Sequence, residues 1–167
     1  LTQEGLEDRK KVVEVLTNFK IDCYLSSPYK RSFDTIHESA KVHNLNILTD
    51  ERFRERENGL IGNNFDMFQK RWNDFHFHEE GGESLHMVQK RNIEALLEVL
   101  NNHNGKNIVI GTHGTALSTI LNYFEPSYCC NDFLRIIDYM PYIIRIDFEG
   151  INCIGKEELL IVKKEFK

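Results

Sequence analysis

The chain has 167 residues, which is the size of a single globular domain, and 41% of them are apolar. Its formal net charge of −5 comes from 21 Lys and Arg against 26 Asp and Glu, which argues against a surface that binds nucleic acid. No apolar run approaches the roughly 20 residues that cross a bilayer. We therefore expect a soluble protein that does not bind nucleic acid or membranes.

The cysteines predict neither a disulfide framework nor a zinc site, because none of the four belongs to a C-x-x-C pair. Free thiols are typical of a reducing compartment, so we expect a cytoplasmic protein. His76 and His78 could be drawn as a metal pair, but the interleaved Phe75 and Phe77 favour a loop or a short edge segment. We expect no metal and no cofactor.

Helix and strand patterns alternate along the first half of the chain. In chain order we predict a helix capped by Thr2, a strand over 21–26, a helix from Pro28 to about His43, an extended piece over 46–49, a long polar loop over 51–64 and a short helix over 65–72.

The second half continues the alternation after a break at Gly81 and Gly82. There we predict a helix capped by Ser84, a strand over 107–112, a helix over 114–124, a further helix near 131–139 and a β-hairpin at one sheet edge with strands over 142–148 and 152–154. Strands separated by helices imply βαβ crossovers. The predicted fold is a single α/β domain over 1–167, a three-layer α/β/α sandwich with a mainly parallel sheet and interior strands 21–26 and 107–112.

Polar residues follow two of the predicted strands where each strand runs into a helix. Arg31 lies one turn into the helix after the first strand, and His113 follows the strand over 107–112. Ligands of open α/β sheets bind outside the carboxyl ends of the strands, and a helix N-terminus favours an anion. The pattern indicates a small-anion site, although each residue alone is more simply explained: Arg31 as a solvated surface charge and His113 as a structural histidine.

Five segments together resemble the histidine phosphatase superfamily, the phosphoglycerate mutase-like proteins. They occur in the family's order and are LTQEG at 1–5, SSPYKRSFDT at 26–35, FRERENG at 53–59, GGES at 81–84 and GTHGTAL at 111–117. The resemblance implies an enzyme that transfers the phosphoryl group of a small phosphorylated substrate, with a homodimer left open.

The resemblance also implies roles for residues at matching positions. Arg31 would clamp the phosphoryl group, Glu55 would be the general acid to the leaving oxygen, and His113 would donate hydrogen bonds to phosphoryl oxygens. Substrate-binding positions would add Ser26, Arg54 and Glu83, with Arg54 and Arg56 supplying local positive charge. For Glu83, an acid that complements a helix N-terminus is the alternative.

The sequence departs from the family pattern at the nucleophile. The family uses a histidine in an R-H-G motif on a central strand, and this motif occurs nowhere in the chain. We expect an interrupted sheet and a chain that cannot complete the reaction by itself. Either the chain is a fragment of a longer protein, which the absence of an initial Met favours, or it is a shortened, noncatalytic relative.

The function that follows from the resemblance is a metal-independent phosphomonoesterase with a phosphohistidine intermediate. Only the 25 residues 56–80 separate Glu55 from Gly81, which favours a compact phosphatase over a mutase. A mutase-type phosphotransferase and a noncatalytic phosphate-binding protein are the alternatives. Aromatic residues of this insert would either cover an organic leaving group or pack the insert onto the core; they are Phe65, Phe68, Trp72, Phe75 and Phe77.

Overall fold

The computed structural model describes residues 2–165, so Leu1 of the LTQEG segment lies outside the described residues. Its elements in chain order are α1 (Gln3–Leu16), β1 (Cys23–Ser26), α2 (Lys30–Val42), β2 (Ile47–Thr49), a 3₁₀ turn (Glu51–Phe53), α3 (Phe65–Asn73), α4 (Leu85–Asn102), β3 (Ile108–Gly111), α5 (Gly114–Phe124), α6 (Cys130–Ile136), β4 (Tyr139–Glu149) and β5 (Asn152–Lys163).

Two predicted helix starts are confirmed by their capping hydrogen bonds. The Thr2 hydroxyl accepts from the amide of Gly5 at 3.1 Å, and the Ser84 hydroxyl accepts from the amide of Met87 at 3.1 Å. Such caps satisfy amides that have no partner inside the helix. None of the helices between residues 2 and 165 is long and apolar enough to cross a membrane.

Three strands form a parallel sheet in the order β2-β1-β3, with Tyr24 of β1 opposite Ile47 on one side and Val109 on the other. Neighbouring side chains of β1 point to opposite faces of this sheet. Leu25 packs into a cluster with residues of α4 and α5, whereas Tyr24 packs into a second cluster with residues of α1 and α2. Helices therefore cover both faces, and the predicted α/β sandwich is confirmed.

The C-terminal part differs from the sequence prediction. The last helix ends at Ile136 rather than near residue 139, and the second hairpin strand runs to Lys163. β4 and β5 pair with each other as a separate antiparallel sheet, so they do not form an edge of the parallel one. Pro141 fits inside β4 because the register shifts between Tyr139 and Tyr142, where a proline interrupts no regular ladder.

The sheet is interrupted next to β3. Within residues 2–165 no ladder joins β3 to another strand on its outer side, so the prediction of an interior strand over 107–112 is wrong, whereas β1 is interior. Ile143 of β4 and Val109 of β3 nevertheless pack against the same cluster, and Phe148 shares the other cluster with Ile110. The hairpin therefore flanks the same core as β3 without hydrogen bonding to it.

Candidate active site

The carboxyl ends of β1 and β3 bring Ser27 and His113 together. Because these strands are parallel neighbours, the amide of Ser27 donates to the carbonyl of Gly111 at 3.0 Å. The Ser27 hydroxyl then lies 2.7 Å from Nε2 of His113, the residue that precedes α5. Sequence reasoning singled out His113 but not Ser27, whose role depends on the pairing of two strands far apart in the chain.

Three buried serines next to His113 are hydrogen-bonded to one another. The Ser32 hydroxyl lies 2.7 Å from that of Ser27 and 3.1 Å from that of Ser26, and Ser26 also donates to the Ser27 carbonyl at 2.8 Å. Ser26 is completely buried. The structure therefore places Ser26, which the resemblance implies binds substrate, among internal hydrogen bonds that hold Ser27.

His113 is a neutral imidazole near pH 7. Burial, together with the positive charges of Arg31 and Arg91, lowers its pKa to about 4. A neutral imidazole carries one N–H donor and one acceptor nitrogen. Nδ1 of His113 has no hydrogen-bond partner within residues 2–165, whereas Nε2 is engaged by Ser27.

We expect the stability of the fold to decrease as the pH falls from 6.5 towards 4. In this window the unfolded chain takes up a proton on His113 that the folded chain does not, so protonation favours unfolding. The loss from this group between pH 7 and pH 5 is about 2 kcal/mol. Urea unfolding of the parent and of His113→Gln at both pH values measures it. An equal pH dependence in the two proteins would contradict the low pKa.

Arg31 is an exposed cation at the first turn of α2. Its guanidinium lies over the ring of Tyr29, 5.0 Å from the centroid, and it makes no ion pair or side-chain hydrogen bond within the described part of the chain. The Tyr29 ring also meets the His113 ring edge-on, with centroids 5.3 Å apart. Arg31 and His113 therefore both contact the ring of Tyr29. The N-terminus of α2 and the guanidinium of Arg31, unpaired among the described residues, together favour the binding of an anion at this place.

Glu55 contacts the start of α5, one turn from His113. Its carboxylate accepts from the amides of Thr115 and Ala116, each at 3.0 Å. A carboxylate in this position satisfies two free amides and complements the positive end of the helix. Glu55 and His113 therefore both lie at the N-terminus of α5. Arg31 lies near them because it contacts Tyr29, whose ring also contacts His113.

Arg91 of α4 holds the loop that carries Glu55. Its guanidinium donates to the carbonyls of Arg52, Arg54 and Glu55 at 2.8, 2.7 and 3.0 Å, and to both carboxylate oxygens of Glu83 at 2.9 and 3.0 Å. Sequence reasoning missed Arg91, because backbone carbonyls as partners leave no signature in the sequence.

The carboxylate of Glu83 is hydrogen-bonded to groups of the protein itself. Burial works to raise its pKa, but the Arg91 hydrogen bonds and the amide of Glu57 outweigh burial and hold the pKa below its ordinary value. Arg54, which is 30% exposed, lies 3.6 Å from the same carboxylate. The structure thus places Glu83 as a support of the loop, and the side chain of Arg54 is more exposed than those of Glu83 and Arg91.

Arg56 does not add positive charge to the strand ends, contrary to the prediction. It is buried, and with Arg71 it pairs with the carboxylate of Glu79 at 3.1 and 3.0 Å. Burial opposes ionisation of Glu79, yet backbone amides including that of Gly59 and the two arginines lower its pKa to about 2. Arg56 therefore ties the loop after Glu55 to the segment around Glu79.

The aromatic residues of the insert pack it onto α6. Trp72 stacks on Phe133 with centroids 5.8 Å apart, and Phe68 meets Phe133 edge-on at 5.2 Å. Phe75 packs against Trp72, and Phe65 is exposed. Of the two alternatives for these aromatic residues, Phe68, Trp72 and Phe75 therefore pack the insert onto the core.

No group of three or more His, Cys, Asp or Glu side chains within residues 2–165 is arranged to hold a metal ion. The rings of His76 and His86 lie 4.4 Å apart. Nδ1 of His78 lies 3.1 Å from the Glu79 carbonyl. Within residues 2–165, His76 and His78 belong to no group of three or more candidate metal ligands.

Comparison with known proteins finds the same family that the sequence motifs resemble. The family model described as "Histidine phosphatase superfamily (branch 1)" matches residues 1–138. The chain is 30% identical over 141 residues to phosphoglycerate mutase-like protein 4 of Arabidopsis thaliana, and 28% identical over 123 residues to phosphoserine phosphatase 1 of Hydrogenobacter thermophilus. These alignments cover 76% and 68% of the chain but only 61% and 58% of the relatives.

Solved structures share the fold. Bacillus stearothermophilus YhfR superimposes with a TM-score of 0.69 at 23% identity, over 92% of this chain and 81% of that one. The phosphoserine phosphatase of Entamoeba histolytica in complex with 3-phosphoglyceric acid gives 0.67 at 21% identity, over 81% and 71%.

Proposed function

Because the chain belongs to the histidine phosphatase superfamily, whose members similar to it are phosphatases or mutases, we propose that it provides the phosphate-binding part of a cytoplasmic phosphomonoesterase. The substrate is a small phosphorylated molecule, and neither a metal nor a cofactor takes part. The observation that carries the proposal is the guanidinium of Arg31, which has no ion-pair partner between residues 2 and 165, together with the neutral, buried imidazole of His113 on the same tyrosine ring.

The two side chains divide the binding of the phosphoryl group. Arg31 offers parallel N–H donors to two phosphoryl oxygens. We assign the Ser27 hydroxyl as the donor across its 2.7 Å contact with Nε2, so that His113 carries its proton on Nδ1 and donates a hydrogen bond to a third oxygen. Positioning and charge stabilisation of this kind account for most of the catalysis of phosphoryl transfer.

The nucleophile comes from an R-H-G strand that this chain does not contain. A parallel strand added at the outer edge of β3 would end beside His113, because the carboxyl ends of parallel strands meet at one edge of the sheet. Its histidine nitrogen would bond to phosphorus as the bond to the leaving oxygen breaks. Water would then break the phosphorus–nitrogen bond and release phosphate and the free histidine.

Turnover tests this function directly. The chain preceded by an R-H-G strand is expected to hydrolyse p-nitrophenyl phosphate in the presence of EDTA, and the 167-residue chain alone is expected to be inactive. Turnover lost in EDTA and restored by a divalent ion would contradict the metal-independent mechanism. Exchange of phosphate between the hydroxyls of glycerate, without release, would show a mutase, and binding without turnover would show a noncatalytic relative.

Glu55 is proposed as the acid that protonates the leaving oxygen. Glu55→Gln is expected to slow an alkyl phosphate by about 10²-fold and p-nitrophenyl phosphate much less, because a good leaving group needs little protonation. Rates for both substrates measure this, with Glu57→Gln, an exposed neighbour, as the matched control. Equal losses on both substrates would assign Glu55 to holding α5 instead.

A further inference from the structure

Tyr29 lies between the two groups of the proposed phosphate site. It immediately precedes α2, and its half-buried ring contacts both the Arg31 guanidinium, which lies over it at 5.0 Å from the centroid, and the His113 ring, which it meets edge-on at 5.3 Å between centroids. We propose that Tyr29 is a positioning residue of this site, whose ring holds the guanidinium of Arg31 over the strand ends and shields His113 from water. The inference rests on the proposed function for the identity of the anion.

Arg31 needs such a contact because nothing else among the described residues holds its side chain. A long exposed side chain loses rotamer freedom when it binds a ligand, and a contact that orders it beforehand reduces that loss. A guanidinium over an aromatic ring at an exposed site changes an equilibrium about two- to fivefold. The ring of Tyr29 therefore favours the arrangement of Arg31 in which its donors reach an anion beside His113.

The contact with His113 has a separate consequence. The ring of Tyr29 packs against the imidazole with an interplanar angle of 65°, His113 is only 8% exposed, and the Tyr29 amide donates to the Ser27 hydroxyl at 3.3 Å. Removing the ring would admit water to His113, and the pKa of the imidazole would rise towards its ordinary value. The charged groups that face His113 from the packed elements are Arg31 of α2, Arg91 of α4 and Glu55 of the loop. Arg91 and Glu55 are held by contacts that do not involve Tyr29, and a guanidinium of Arg31 that moves away changes the pKa in the same direction, because its positive charge lowers that pKa.

The ring rather than the hydroxyl performs this role. The Tyr29 hydroxyl has no hydrogen-bond partner within residues 2–165, so Tyr29→Phe keeps both contacts, whereas Tyr29→Leu removes them. The chain offers a matched control, because the guanidinium of Arg135 lies 5.5 Å above the ring of Tyr139, a half-buried tyrosine of β4. Tyr139→Leu removes the same kind of contact at a different place.

The experiment measures binding of inorganic phosphate to the 167-residue chain by calorimetry, and titration of His113 by NMR. We expect Tyr29→Leu to weaken binding two- to fivefold and to raise the midpoint of the His113 titration. Tyr29→Phe and Tyr139→Leu should match the parent in both measurements. Thermal melts verify folding, and Tyr29→Met, which also lacks a ring, replaces the leucine variant if that variant does not fold.

Each outcome decides one claim. Parental binding and titration in folded Tyr29→Leu or Tyr29→Met would overturn the role of Tyr29, and so would a loss in Tyr29→Phe as large as that in the leucine variant. Arg31→Ala tests the site itself. If it binds phosphate as well as the parent, the proposed function fails, whereas weak binding by Arg31→Ala with unchanged binding by Tyr29→Leu refutes only the inference about Tyr29.

Discussion

Alanine at His113 or at Arg31 is expected to lower kcat for p-nitrophenyl phosphate by about 10²–10³-fold in the protein that carries the R-H-G strand. Each change removes a donor that meets charge developing on the phosphoryl oxygens. Arg31 has no carboxylate partner within residues 2–165, so its alanine variant leaves no buried charge unpaired. Steady-state kinetics of both variants provide the measurement, since kcat and KM are obtained separately.

Exposed residues of the same types serve as controls for these two variants. His86→Ala on α4 and Arg145→Ala on β4 remove an exposed histidine and an exposed arginine and should keep the parental kcat. A rise in KM with unchanged kcat would mean that Arg31 or His113 binds substrate and transition state equally well. Parental kcat and KM in both alanine variants would place the phosphate site elsewhere.

The fold was predictable where local signals agree with one another. Thr2 and Ser84 cap helices as predicted because their hydroxyls precede apolar repeats of helical period. The hairpin was predicted too short because its strands are partly exposed and Lys156, Glu157 and Glu158 interrupt the second strand. Alternation between a core face and a solvent face is weak in such strands, so the sequence pattern did not predict that the second strand continues over residues 155–163.

The proximity of the candidate site residues was predictable where a motif places them at the ends of neighbouring strands. Arg31 and His113 follow β1 and β3, and their proximity follows from the parallel pairing of those strands. The sequence does not indicate which charged residues pair with one another. Arg56 and Glu83 carry charges of the expected type, yet Arg56 pairs with Glu79 and Glu83 pairs with Arg91 of α4.

The R-H-G strand is expected to enter the sheet between β3 and β4. The outer edge of β3 pairs with no strand within residues 2–165, and Ile108, Val109 and Ile110 are only partly buried there. The two sheets already share their hydrophobic clusters, so an apolar strand between them would bury side chains on both faces and pair the free backbone groups.

Hydrogen exchange with and without the added strand tests this placement. The amides of Ile108 and Ile110, which face away from β1, should exchange at least about tenfold more slowly when the strand is present, because they then donate to a neighbouring strand and opening them requires opening the interior of a continuous sheet. The exposed Leu48 on β2, the opposite edge strand, is the internal control and should keep its rate. If protection appeared at β2 and not at β3, the strand would lie at the far edge, too distant from His113 to deliver a nucleophile, and the proposed arrangement of the site would be wrong.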